Sequence, residues 1–166
     1  MTHWMDSHPE HFSQSNEDEI IAEIFGCIGD GAKRFVEFGA GKGTQNNTIA
    51  LLLKGWSGTW IEPHKRRMNY ARSLFGSYPV EIIRKMIVPK NVNRFVTDPL
   101  DFLSIDIDGN DYAVWEAVTA KPRVVCIEYD AEKGSSLEKM QELAERKGYI
   151  FERCSASGVN AFFVSG

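Results

Sequence analysis

Apolar residues fall along this chain in two alternating rhythms, helical stripes and short continuous runs. The first stripe is Ile20, Ile21, Ile24, Phe25 and Ile28, which a helix gathers on one face. Asn16 precedes it as the expected cap, Glu19 stands three residues on, and Gly29-Asp30-Gly31 ends it. Phe35 to Phe38, broken only by Glu37, then suits a strand covered on both faces. Gly39, Gly41 and Gly43 follow, and Thr44 is the expected cap of a helix through Ile49, Leu52 and Leu53 that stops at Gly55. Further runs predict strands at Gly58 to Glu62, Val80 to Arg84, Asp101 to Asp106 and Arg123 to Glu128. Helices are expected over His64 to Phe75, from Asn110 or Asp111 through Tyr112, Trp115 and Val118, and after the capping box Ser135-x-x-Glu138. Tyr149 to Cys154 and Asn160 to Val164 read as two strands with no helix between them. Met1 to Gln14 has no clear period and reads as an irregular flap, and Lys85 to Pro99 is ambiguous.

Strands alternating with helices predict a doubly wound, mostly parallel α/β sheet of Rossmann-like type, with the last two strands as an antiparallel hairpin at one edge. At 166 residues, with no repeat or linker, the expectation is a single compact domain. A net charge of −4 gives no general attraction to nucleic acid, and no apolar run reaches membrane-spanning length. Cys27, Cys126 and Cys154 lack metal spacing, Cys126 reads as a small core residue, and a reducing cytoplasm is the expected setting. His3, His8 and His11 also lack metal spacing. Trp56, Trp60 and Trp115 read as packing, and Lys65-Arg66-Arg67 as a solvated helix face.

In such a fold, ligands sit beyond the carboxyl ends of the strands. Polar residues cluster there: Glu37 to Gly43, Glu62, Lys85, Asp106 to Asp111, and Glu128 to Asp130. The glycine turn departs from the dinucleotide pattern, because its third glycine comes one place early and Glu37 stands two residues before the first. A carboxylate there repels a pyrophosphate and can receive an ammonium group. Glu62 ends the second strand, where an acid can accept ribose hydroxyls.

Asp106 and Asp108, two apart at a strand end, are the candidates for chemistry. Either can serve as a base toward a hydroxyl. Alternatively the two, with Glu128 or Asp130, can hold Mg²⁺ or Mn²⁺ through hard oxygens. An Asp-x-Asp at a strand end is also how a metal-dependent glycosyltransferase holds a nucleotide-sugar. A non-catalytic cofactor-binding module is a further alternative.

Several blocks together resemble the FkbM-type class I methyltransferases. They are Phe12 to Asp18, Val36 to Thr44, Asn47-Thr48, Gly55 to Glu62, Leu103 to Tyr112, Val124 to Tyr129 and Gly158 to Phe163. The resemblance implies S-adenosylmethionine (SAM) as methyl donor and a hydroxyl of a sugar or small metabolite as acceptor. It implies that Glu37, Gly39 and Gly41 flank the amino-acid part of the donor and that Ala40, Gly43, Thr44 and Asn47 also belong to the cofactor-binding set. Glu62 and Pro63 would lie at the ribose, Lys85 and Met86 at the adenine, and Asp106 beside the reacting group. Glu17 and Asp18, with Glu128, become candidates for acceptor binding. Two departures stand out: Lys42 lies between the last two glycines, and only Asp130 to Gly134 separates the fifth strand from its helix.

Overall fold

The computed structural model describes residues 12–166. Most of the expected flap, and with it His3, His8 and His11, lies outside the described residues. Among the described residues there are seven strands: β1 (Arg34–Phe38), β2 (Ser57–Ile61), β3 (Val80–Ile83), β4 (Phe102–Ile105), β5 (Val124–Glu128), β6 (Tyr149–Cys154) and β7 (Asn160–Ser165). Five α-helices join them: α1 (Glu17–Ile28), α2 (Ile49–Leu53), α3 (Lys65–Phe75), α4 (Asp111–Ala117) and α5 (Leu137–Lys147). They form one sheet in the order β3-β2-β1-β4-β5-β7-β6. β1 to β5 are parallel, and β7 runs antiparallel between β5 and β6. The chain therefore reverses its winding between β1 and β4, which opens a crevice above their carboxyl ends.

Strand alternation divides the core into two layers. Val36, Phe38, Leu103, Ile105, Val125 and Ile127 pack with Trp115 of α4 and with Met140 and Leu143 of α5. Phe35, Phe102, Val124, Cys126 and Phe162 point the other way, onto α1, α2 and α3. Sheet residues buried on both faces explain why β1, β4 and β5 read as continuous apolar runs rather than as alternating ones. The three tryptophans named above are all fully buried, as expected of packing residues.

The helix starts differ from expectation. Asn16 does not cap α1; its Oδ1 accepts instead from the amide of Ala156, 2.7 Å away in the β6–β7 turn. Thr44 caps nothing, because α2 begins only at Ile49 and the intervening residues form bends and a turn. Ser136, not Ser135, caps α5, accepting from Lys139 N. Ile28 is exposed at the last turn of α1 rather than inward. The ambiguous segment before β4 carries a short 3-10 turn, Val92–Arg94, whose Val92 is buried in the core.

Candidate functional site

A cleft of about 740 Å³ opens where the strand order reverses, walled by the glycine loop, the ends of β1, β2, β4 and β5, and the start of β7. Its geometry begins with the glycines. Gly39 has φ +78°, and a Cβ there would stand 1.7 Å from the carbonyl oxygen of Asp106, so only glycine lets the loop cross β4 this closely. Gly43 likewise lies against Trp60 and Phe75, and it packs the loop rather than lining the cleft. Gly41 differs, since the only atom within reach of a Cβ there is Gly39 O at 4.0 Å, and its open side is the cleft.

Two buried glutamates fix this loop. Glu62, 2% exposed, accepts from Gly41 N at 3.0 Å on one oxygen and from His64 N at 2.8 Å on the other. Glu37, 3% exposed, accepts from Asn47 N at 2.9 Å and from the amide and hydroxyl of Thr48. Trp60 Nε1 donates to that same hydroxyl at 2.7 Å, and Asn47 Nδ2 donates to Ser104 Oγ at 3.0 Å. The residues before α2 are thus tied by side chains to β1, β2 and β4. Burial pushes the Glu37 carboxyl up to about 7, against the pull of the three hydrogen bonds it accepts.

The acidic end of the cleft is built on β4 and β5. One oxygen each of Asp106, Asp108 and Glu128 lies within 4.8 Å of the others. Burial, and then the charge of Asp111, raise Asp106 to about 6; burial, and then Asp106, raise Glu128 to about 7. Like charges this close do not both ionise freely, so the pair carries a proton into the neutral range. Asp108 is 88% exposed at its side chain and has φ +59°, with Lys133 Nζ 3.8 Å away. Asp111 shapes this turn, accepting from Ile107 N at 2.8 Å and from Gly109 N at 2.9 Å. Asp130 turns away into its own loop, where it accepts from Glu132 N.

Of the residues expected at the site, Glu37, Gly39, Ala40, Gly41, Thr44, Asn47, Glu62, Pro63, Lys85, Met86, Asp106, Asp108 and Glu128 all line the cleft. Glu17 and Asp18 do not. Glu17 is buried, accepting from Ser15 N at 2.8 Å and from Asn160 Nδ2 at 3.1 Å, and Asp18 accepts from Phe12 N and Ser13 N. Both hold the segment before α1 in place. Sequence reasoning assigns no role to two wall residues, Asn46 and Asn160. The signal toward Asn160 is its place in the block Gly158 to Phe163 and its phase with Phe162 on the same strand.

No protein-family model matches the chain, and no curated protein matches it in sequence. Solved structures do match in fold. Monomeric WbdD superposes with a TM-score of 0.69 at 12% identity, over 97% of this chain and 47% of its own. This chain therefore spans about half of that protein. An O-methyltransferase from Bacillus cereus in complex with SAH gives 0.69 at 18% identity, over 98% of this chain and 86% of that one. Magnesium protoporphyrin IX methyltransferase (ChlM) from Synechocystis PCC 6803, with bound SAM, gives 0.64 at 10%, over 91% and 80%. The seven-stranded sheet with its antiparallel carboxyl-terminal hairpin is the fold these methyltransferases share.

Proposed function

We propose that this chain is a SAM-dependent methyltransferase of FkbM type that methylates a hydroxyl of a sugar or small polar metabolite. The observation that carries the reading is the placing of two groups in one cleft: a glycine loop pinned by Glu62, and the facing carboxyls of Asp106 and Glu128. The fold shared with the methyltransferases above supports it, as do the FkbM-like sequence blocks.

The residues present fit the donor. Each Glu62 oxygen accepts one backbone hydrogen bond and keeps a second lone pair for a ribose hydroxyl. Glu37 has three of about four acceptor sites filled, which leaves one toward an ammonium group. Gly41 presents backbone without side chain to the cleft. Bound there, SAM supplies an electrophilic methyl carbon.

The protein's part is to orient the acceptor and receive its proton. Asp106 and Glu128 accept the hydroxyl hydrogen, and the ionised member of the pair takes the proton as the oxygen becomes an ether. A positioned base of this kind contributes ~10²–10⁴-fold, and alignment of the reactants contributes more. A second reading rests on the grouping of Asp106, Asp108 and Glu128, whose oxygens are close enough to converge on Mg²⁺ or Mn²⁺ with a small closure. Lys133 beside Asp108 weighs against it. Calorimetry with SAM tests the central claim: binding in the micromolar range is expected, and none at millimolar ligand overturns it.

A further inference from the structure

Asp106, Glu128 and Asn160 form a row across three neighbouring strands. Glu128 pairs directly with Asn160 in the β5–β7 register, and Asp106 follows the Ile105–Ile127 pair on β4. All three project to the sheet face that carries Glu37, Ser104 and Cys126, two residues apart along each strand. Asn160 is only 8% exposed, yet it lines the cleft. Its amide orientation is set, because Nδ2 donates to Glu17 Oε1 at 3.1 Å. Oδ1 is left buried with no partner.

Asn46, 5% exposed in the wall of the same cleft, has neither Oδ1 nor Nδ2 partnered. A buried amide without a partner is destabilising in a free protein, and such groups mark places where another molecule completes the bonding. Position adds to this: Asn160 extends the proton-accepting pair on the side away from the glycine loop, since β7 lies beyond β5 and β1 beyond β4.

We infer that Asn160 and Asn46 are the specificity-determining residues of the acceptor subsite, and that the subsite takes a neutral vicinal diol. This deepens the function proposed above and rests on it. Asn160 Oδ1 can only accept, so it needs a hydroxyl or N–H donor; Asn46 gives and accepts and suits a second hydroxyl. The facing carboxyls disfavour an anionic acceptor, and among the described residues no Phe, Tyr or Trp lines the cleft to stack on a planar one. Glu17 is a positioning residue here. It fixes Asn160 from α1 while Asn16 ties the same segment to Ala156, so this end of the cleft is closed by the segment before α1 and the β6–β7 turn.

The test uses the full chain saturated with S-adenosylhomocysteine, so that nothing turns over. Saturation-transfer NMR then compares vicinal cis-cyclohexanediol with cyclohexanol. The expected result is tighter binding of the diol by about 5- to 10-fold, the worth of one hydrogen bond. Asn160→Leu abolishes that preference while S-adenosylhomocysteine affinity stays within about twofold. Glu17→Gln reduces the preference, and Asn46→Leu lowers it while raising the thermal midpoint by a few degrees, since an orphaned amide is gone. Equal binding of the two probes, no binding of either, or a preference that survives Asn160→Leu overturns the inference and leaves the amides to ordered water alone. Should Asn160→Leu not fold, Asn46→Leu decides. Failure of S-adenosylhomocysteine itself to bind would instead overturn the parent reading.

Discussion

Gly41 and Glu62, 21 residues apart in sequence, are joined by a 3.0 Å hydrogen bond from the glycine amide to the carboxylate. The second oxygen of Glu62 holds His64 N at the start of α3. One side chain therefore sets both the glycine loop and the strand-end turn that faces it. Glu62→Ala removes these anchors together with the ribose contacts proposed above. We expect donor affinity to fall by about 10- to 100-fold in calorimetry, at roughly 1.5–3 kcal/mol per charge-assisted bond with partial compensation by water. An unchanged affinity would exclude Glu62 from the donor site.

The glycines should separate structural from functional need. Gly39→Ala drives a methyl into the Asp106 carbonyl at positive φ, and a loss of about 2–5 kcal/mol in urea unfolding is expected. Gly41→Ala meets only the conformational penalty, about 1–2 kcal/mol, because space beside it is open. Its methyl stands in the cleft instead, so donor binding is expected to fail in a chain that still folds.

Stability should rise on acidification. Glu37 has a folded value of about 7 against an ordinary 4.5, so the folded state holds the proton more tightly. This contribution is complete below about 4.5 and is lost as pH rises through about 7, with an upper bound of about 3 kcal/mol. Asp106 and Glu128, also raised, act in the same direction. Thermal midpoints measured from pH 5 to 8 should therefore fall, with a flatter slope for Glu37→Gln. A midpoint that climbs with pH would contradict the burial argument.

Turnover should have the opposite dependence on acid. In the proposed mechanism one ionised member of the Asp106–Glu128 pair suffices as base, so the rate is expected to rise through about pH 6 toward a plateau near pH 7. Replacing Asp111 with Asn removes the neighbouring charge that most raises Asp106 and should move the limb to lower pH. Carbon-13 titration of the labelled carboxyls checks the same assignment without any acceptor.

A chelator distinguishes base from metal. Lys133 Nζ lies 3.8 Å from Asp108 and 3.6 Å from Asp130, supplying positive charge at the mouth of the acidic group. Turnover is expected to survive EDTA and to be lost in Asp106→Asn. Loss in EDTA with recovery on Mn²⁺ would establish the metal reading.

The strands were legible because Val124, Val125, Cys126 and Ile127, for example, form an unbroken apolar run, which a strand buried on both faces requires. Glu37 and Glu62 were legible as cleft-lining residues from their places at strand ends, but their partners were not. Nothing in the local sequence says that Thr48 and Asn47 bond Glu37 across ten residues, or that this pulls the start of α2 from Thr44 to Ile49. Caps failed for the same reason: Asn16 is a good cap by type, yet Ala156, 140 residues away, takes its side chain. Asn160 is a lone asparagine at the start of a strand, and only the β5–β7 register sets it beside Glu128.

The position of β7 has a consequence for synthesis. The residues that would cradle the donor, on β1 and β2, leave the ribosome long before Asn160. Until β7 is made, β5 is an outer strand with its apolar run unpaired on one side, and β6, which pairs only with β7, has no strand to join. An unpaired apolar edge is adhesive. The nascent chain thus passes through a stage in which a donor pocket could form beside a sticky, unfinished sheet, and its last strand both completes the cleft and seals that edge.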